Sequence, residues 1–194
     1  MAAVPGAYGL RPVNMLGGRG MTSAFNQFEI VSAYNTNIFS GDIVKFAADG
    51  TVAKDTGTST ATPVGIFVGC FYTDAQAGPQ FANYWPANQV ASDAVAYVVD
   101  DPTVLFKVAV ESASGTVSSL ALTDMNRNLS IIQGTGSTTT GRSAVSVDDT
   151  SNTTNTLPIR VIGLVPETVN SSGGYTEVIC KWNAGHVYDN TTGV

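Results

Sequence analysis

Residues 95–110, Val-Ala-Tyr-Val-Val-Asp-Asp-Pro-Thr-Val-Leu-Phe-Lys-Val-Ala-Val, constrain the fold of this chain more than any other stretch. Val95, Tyr97 and Val99 alternate with Ala96 and Val98, and Leu105, Lys107 and Ala109 alternate with Phe106, Val108 and Val110. A period of two in β-branched and aromatic residues marks strand, because successive side chains leave opposite faces of a sheet. Between the two runs, Asp100 and Asp101 offer carboxylate oxygens to the backbone amides ahead of them, and Pro102 presets the φ of a turn. The stretch is predicted to be a hairpin.

The same grammar of short apolar strand and Gly, Asp, Asn or Pro turn recurs along the chain. Strands are predicted over 28–34, 43–46, 51–54, 63–72, 129–133, 142–147, 157–166 and 175–182. Asp49-Gly50 is a hairpin signal, and 63–72 carries the most apolar run, so it reads as a central strand. Residues 115–126 form the one plausible short helix, although Leu120 and Leu122 suit a strand equally well. Residues 73–92, with Phe81, Tyr84, Trp85 and Pro86, read as a long loop insertion. Its aromatics either form an exposed contact patch or fold back to cap one end of the molecule. The predicted class is all-β: a single compact barrel or sandwich of jelly-roll or β-tulip type over 25–194, with little helix. Residues 1–24, rich in Gly and with Pro5 and Pro12, are expected to be an extended N-terminal arm, disordered or laid across a partner.

Composition narrows the function classes. Only 12% of the 194 residues are charged, against roughly a quarter in an ordinary globular protein. A surface poor in Lys, which elsewhere blunts exposed strand edges, suits a subunit covered by neighbours. A net charge of −6 with nine scattered basic residues argues against a nucleic-acid partner. No apolar run reaches the roughly 18–20 residues of a membrane-spanning helix, so no membrane partner is expected. The first ten residues lack the basic and apolar regions of a secretory leader, so synthesis and retention in a cytoplasm are expected. Cys70 and Cys180 lie in strand-like runs and read as reduced core residues, with a cross-strand disulfide as the alternative.

Catalytic and ligand-binding signals are sparse. His186 is the single histidine; it has no G-x-S-x-G elbow to serve and too few Cys or His partners for zinc, so it reads as structural. The pairs Asp100-Asp101 and Asp148-Asp149 have oxygens that suit Ca²⁺ but not the spacing of an EF-hand, and read as turn caps. Gly17-Gly18-Arg19-Gly20 follows no strand and lacks the Lys-Ser/Thr of a phosphate loop. Trp85 and Tyr84 near a carboxylate pair leave a carbohydrate cleft as a minor alternative. No catalytic, cofactor or metal site is predicted.

Several pieces occur in a familiar order. They are Tyr8-Gly9-Leu10-Arg11-Pro12-Val13, Ser40-Gly41-Asp42-Ile43-Val44 and Pro63-Val64-Gly65-Ile66-Phe67-Val68-Gly69. Val98-Val99-Asp100-Asp101-Pro102 and Leu105-Phe106-Lys107-Val108 follow, then Gly136-Ser137-Thr138-Thr139-Thr140-Gly141 and Ile159-Arg160-Val161-Ile162-Gly163-Leu164-Val165-Pro166. Asn183, His186 and Tyr188 and a Thr192-Gly193-Val194 end complete the set. Together these resemble small structural proteins encoded in the head genes of tailed bacteriophages, a group that includes capsid decoration, or cement, proteins. The resemblance implies a virion protein made in the bacterial cytoplasm that binds and stabilises the outer surface of an icosahedral shell. Its partners would be the major capsid protein and further copies of itself, as a homotrimer first and a homodimer as the alternative. Contacts are expected from Tyr8, Leu10, Arg11, Pro12, Val13 and Leu16 of the arm, by strand addition, and from Tyr84 and Trp85 of the insertion. A tail or fibre-base component, a carbohydrate-binding module and an enzyme are the alternatives, in that order.

Overall fold

The computed structural model describes residues 6–21 and 25–189, so residues 1–5 and 22–24 of the arm and the Thr192-Gly193-Val194 end lie outside the described residues. The strands are β1 (Arg11–Met15), β2 (Phe25–Glu29), β3 (Ile38–Phe39), β4 (Ile43–Phe46) and β5 (Val52–Lys54). Next come β6 (Gly65–Asp74), β7 (Gly78–Ala82), β8 (Tyr84–Trp85), β9 (Val95–Val99) and β10 (Val104–Glu111). The last five are β11 (Asn128–Leu129), β12 (Ile131–Ile132), β13 (Ser146–Asp148), β14 (Ile159–Leu164) and β15 (Glu177–Trp182). Helix among the described residues is confined to two single 3-10 turns, Leu122–Asp124 and Pro166–Thr168. The protein is all-β.

Two larger sheets carry the fold. One runs β11-β14-β15-β10-β13-β12, with β1 added alongside β10; the other runs β2-β9-β6-β4-β5, with β7 added alongside β6. Strands β3 and β8 pair separately. Successive residues of the second sheet go to different cores. Ile43, Ile66 and Val99 join a cluster with Val104, Phe106, Val108, Val161 and Cys180 of the first sheet. Their neighbours Val44, Phe67 and Val98 join a second cluster with Tyr72, Trp85 and Cys70 on the far side. The middle of the second sheet is thus buried on both faces, which is why 63–72 reads as a continuous apolar run rather than an alternating one. Both cysteines are free and buried, one in each cluster.

The predicted hairpin at 95–110 is a crossing instead. Strand β9 pairs with β2 and β6, whereas β10 pairs with β1, β13 and β15. The Asp-Asp-Pro corner carries the chain from one sheet to the other, so Val99 and Val104 meet in the same interior cluster from opposite sides. Asp101 accepts bonds from the Thr103 amide (2.7 Å) and hydroxyl (2.6 Å), as its turn role required. Asp100 turns away and accepts from Asn26 Nδ2 (2.9 Å) and the Tyr188 hydroxyl (2.7 Å). Local alternation sees strands but not which sheet each joins.

Three other expectations change. The first part of the insertion at 73–92 is sheet and not loop: β6 continues to Asp74, whose Oδ1 accepts from the amides of Gln76 (2.9 Å) and Ala77 (2.7 Å), and the chain returns as β7 and β8 before residues 86–92 leave the sheet. The helix over 115–126 shrinks to the 3-10 turn Leu122–Asp124, and the chain before it is extended, because Leu120 exchanges backbone bonds with Tyr175 (2.9 and 2.7 Å) and its side chain enters the core. Non-local pairing overrides a weak local pattern there. The first strand lies at 25–29 rather than 28–34, since the chain turns after Ile30 through Ala33 at a φ of 59°.

The largest correction concerns the arm. Residues 11–15 are extended, but they pair antiparallel with the protein's own β10, Arg11 opposite Lys107 and Met15 opposite Val104. Leu10 is fully buried in the interior cluster. Its amide donates to the Gly41 carbonyl (2.9 Å), and the Gly9 amide to the Val145 carbonyl (3.1 Å). Gly9 has a φ of +84°, and a Cβ there would stand 2.6 Å from Ser143 Cβ and 2.8 Å from the Gly41 oxygen. The glycine and leucine read as flexible sequence are the points at which this segment is locked down.

Candidate functional site

The residues expected to contact a partner do not share one surface. Leu10 and Trp85 have no surface to offer, because both are fully buried. Trp85 sits edge-on to Tyr72 (5.4 Å between centroids), and its indole N–H donates to the Tyr34 carbonyl (3.4 Å). Tyr84 is half-buried and stacked on Phe39 at 5.6 Å, so of the insertion aromatics Tyr84 and Trp85 fold back onto the protein while Phe81 stays exposed. Tyr8 donates its hydroxyl to Glu177 Oε1 (2.7 Å). Burial, and then that carboxylate, raise its pKa well above the usual phenol range. Arg11 donates to the Ser40 hydroxyl (3.2 Å) and the Tyr8 carbonyl (3.1 Å), and Pro12 is half-buried beside it. Only Val13 and Leu16 of the set are exposed, at 41% and 43%.

The remaining candidates make contacts within the protein. His186 is buried, and burial, the largest influence on it, lowers its pKa. Its Nδ1 accepts from the Tyr188 amide (3.4 Å). Asp148 accepts from Ser130 and the Thr150 amide, and Asp149 from Ser118, so that pair caps its turn. Burial pushes the Cys70 thiol up to about 12 and the Cys180 thiol higher still, which leaves neither with thiolate character at neutral pH. Among the described residues no three His, Cys, Asp or Glu side chains are placed to hold a metal ion together.

A different surface stands out, and the registers build it. Residues directly opposite one another in an antiparallel pair share a face. Val99 lies opposite Phe25 and Ile66, Tyr97 opposite Gln27 and Gly69, Val95 opposite Glu29 and Phe71, and Phe71 opposite Phe81. The Val99–Ile66 row is covered by the first sheet. The outer end of that row, at Phe25, and the rows beyond it emerge into solvent, with Phe81 79%, Phe25 52% and Val68 36% exposed and Tyr97, Phe71 and Val95 half-buried. A bulge at Val68, between Phe67 and Gly69, makes this possible. It reverses the parity of β6, so Cys70 and Tyr72 turn into the second core while Phe71 turns outward.

The exposed rings are ordered against one another. Phe71 and Phe81 lie 4.8 Å apart, and Phe25 meets Tyr97 edge-on at 6.1 Å. Phe25, Val68, Gly69 and Tyr97 line a shallow groove of about 280 Å³. Strands β2, β6, β7 and β9 carry no Lys or Arg, and their only charged residues are Glu29 and Asp74. An aromatic, nearly uncharged sheet face of this kind makes this surface the candidate contact site. The sequence hinted at it only through Phe81; Phe25, Phe71 and Tyr97 come together through strand pairing and a bulge that leave no local signature. No protein-family model, curated protein or solved structure matches this chain.

Proposed function

We propose that this protein is a structural subunit of a tailed-bacteriophage head that binds the outer surface of the icosahedral shell, against the major capsid protein, and stabilises it. The ordered set of motifs from Tyr8 to Tyr188 supplies the choice of assembly. The observation that carries the reading is the uncovered face of Phe25, Val68, Phe71, Phe81 and Tyr97 on a chain otherwise poor in charge. Such a face is costly to leave in water and contributes when covered, at about 25 cal/mol per Å² of apolar area. In this account the face, rather than a free N-terminal arm, meets the shell, since residues 8–15 are committed to the protein's own β10 and core.

Co-sedimentation with undecorated shells of the same phage tests it. The wild-type protein should pellet with the shells, and Phe81→Asp, which places a charge at the most exposed ring without touching either core, should stay in solution. Failure of the wild-type protein to bind would sink the shell reading. Unchanged binding of Phe81→Asp would remove the face from it.

A further inference from the structure

We infer that β2 is a self-association edge: two copies of this chain pair antiparallel through Phe25–Glu29 across a two-fold axis centred on Gln27. This holds or fails independently of the shell reading. The edges of the sheets differ in how they are guarded. An unpaired edge presents free N–H and C=O groups, and proteins guard such edges with short strands, Pro, bulges or Lys. Among the described residues, β11, β12, β3 and β8 are two residues long, and β5 is three and ends in Lys54. Strand β7 carries Pro79, and β1 carries Pro12 and a bulge. Strand β2 has none of these devices. It runs five residues in unbroken register with β9 at the end of its sheet.

The hydrogen-bond phase shows what the edge offers. Ile30 donates to the Ala94 carbonyl (3.1 Å), continuing the register that sets Phe28 opposite Ala96 and Asn26 opposite Val98. Antiparallel pairs alternate between bonded and non-bonded, so Phe25, Gln27 and Glu29 turn their N–H and C=O groups away from β9. These are the groups a second strand would use.

A second copy satisfies them symmetrically. With the axis on Gln27, Gln27 faces its own counterpart and Phe25 faces Glu29 of the other copy at both ends, giving about six ladder hydrogen bonds. The single charge of the strand then meets a phenylalanine, never another carboxylate. The two Glu29 positions are separated by four residues along the ladder, roughly 13 Å at 3.3 Å per residue. That exceeds the Debye length of about 10 Å at 0.1 M salt, so their repulsion is screened. Because Phe25 and Gln27 belong to the aromatic face, pairing also joins the faces of both copies into one continuous surface.

Light scattering on the full chain, with Gln27→Pro and Gln27→Lys as variants, tests this. Proline at 27 removes an outward N–H and none of the bonds to β9, and lysine at 27 sets like charges opposite each other on the axis. The wild-type mass should be twice 20.1 kDa, and both variants should fall to 20.1 kDa at the same loading with unchanged circular dichroism. Hydrogen exchange of the wild type should show the Phe25, Gln27 and Glu29 amides slowing as concentration rises. A monomeric or trimeric wild type would overturn the inference. So would a dimer that a folded Gln27→Lys leaves intact, or outward amides whose exchange ignores concentration.

Discussion

Leu10 and Leu16 are the same residue six positions apart in a glycine-rich segment, yet they should respond to truncation in opposite ways. Leu10 is fully buried in the cluster that both sheets line, which includes Ile43 and Val99 of one and Phe106 of the other, whereas Leu16 is 43% exposed. Leu10→Ala removes roughly three methylene equivalents, a transfer loss of about 2.4 kcal/mol at about 0.8 kcal/mol per buried CH₂. The cavity left in a site braced by the Gly9–Gly41 contact adds to this, placing the cost within the range of about 2–5 kcal/mol for buried Leu to Ala. At about 2–4 °C per kcal/mol for a domain of this size, a cost of ~3 kcal/mol lowers Tm by about 6–12 °C. Leu16→Ala should stay within about 0.5 kcal/mol of wild type, as surface substitutions generally do. Urea unfolding followed by tryptophan fluorescence measures both, with equal m-values as the check that midpoints report stability. If Leu10→Ala cost no more than Leu16→Ala, the N-terminal segment would not be part of the core, and the corrected view of the arm would fail.

Two further outcomes follow from buried polar groups. Asp42 is fully buried, bonded to the Phe39 amide and the Ser143 hydroxyl and paired with Lys54 at 2.9 Å; Asp42→Ala should cost about 3–5 kcal/mol by leaving Lys54 without its counter-charge, read from the shift in urea midpoint. His186 has its pKa lowered by burial, so below the ordinary value of 6.5 the unfolded chain binds a proton that the folded one resists. Its stability contribution is therefore intact above pH 6.5 and declines as pH falls from there through the folded pKa, so the stability difference between wild type and His186→Gln should shrink over that interval. A difference independent of pH between 7 and 5 would contradict the buried neutral imidazole.

The parts of the fold that follow from local chemistry were legible in the sequence. Asp49-Gly50 turns β4 into β5, and the apolar run at 63–72 is the central strand, flanked by β9 and β4. Proline marks the ends of β14, with Pro158 just before it and Pro166 just after. What alternation cannot encode is which strands become neighbours. Val95–Val99 and Val104–Glu111 have the pattern of a hairpin, yet each finds its partners elsewhere in the chain, β9 beside β6 and β10 beside β15. Leu10 shows the same limit: one leucine among glycines has no periodicity, and its burial depends on Gly41, Val145 and β10, all distant in sequence. The candidate contact face depends on registers between four strands and on the parity reversal at Val68. No local pattern announces such an arrangement.

The most direct test of the central claim is a cryo-EM reconstruction of the phage particle, with copies of this chain counted per shell asymmetric unit. Density should repeat over the outer shell, with the Phe25–Phe81 face turned toward the major capsid protein and β2 edges meeting at two-fold positions. Density confined to the tail or portal vertex, or absence of the chain from the particle, would contradict that claim.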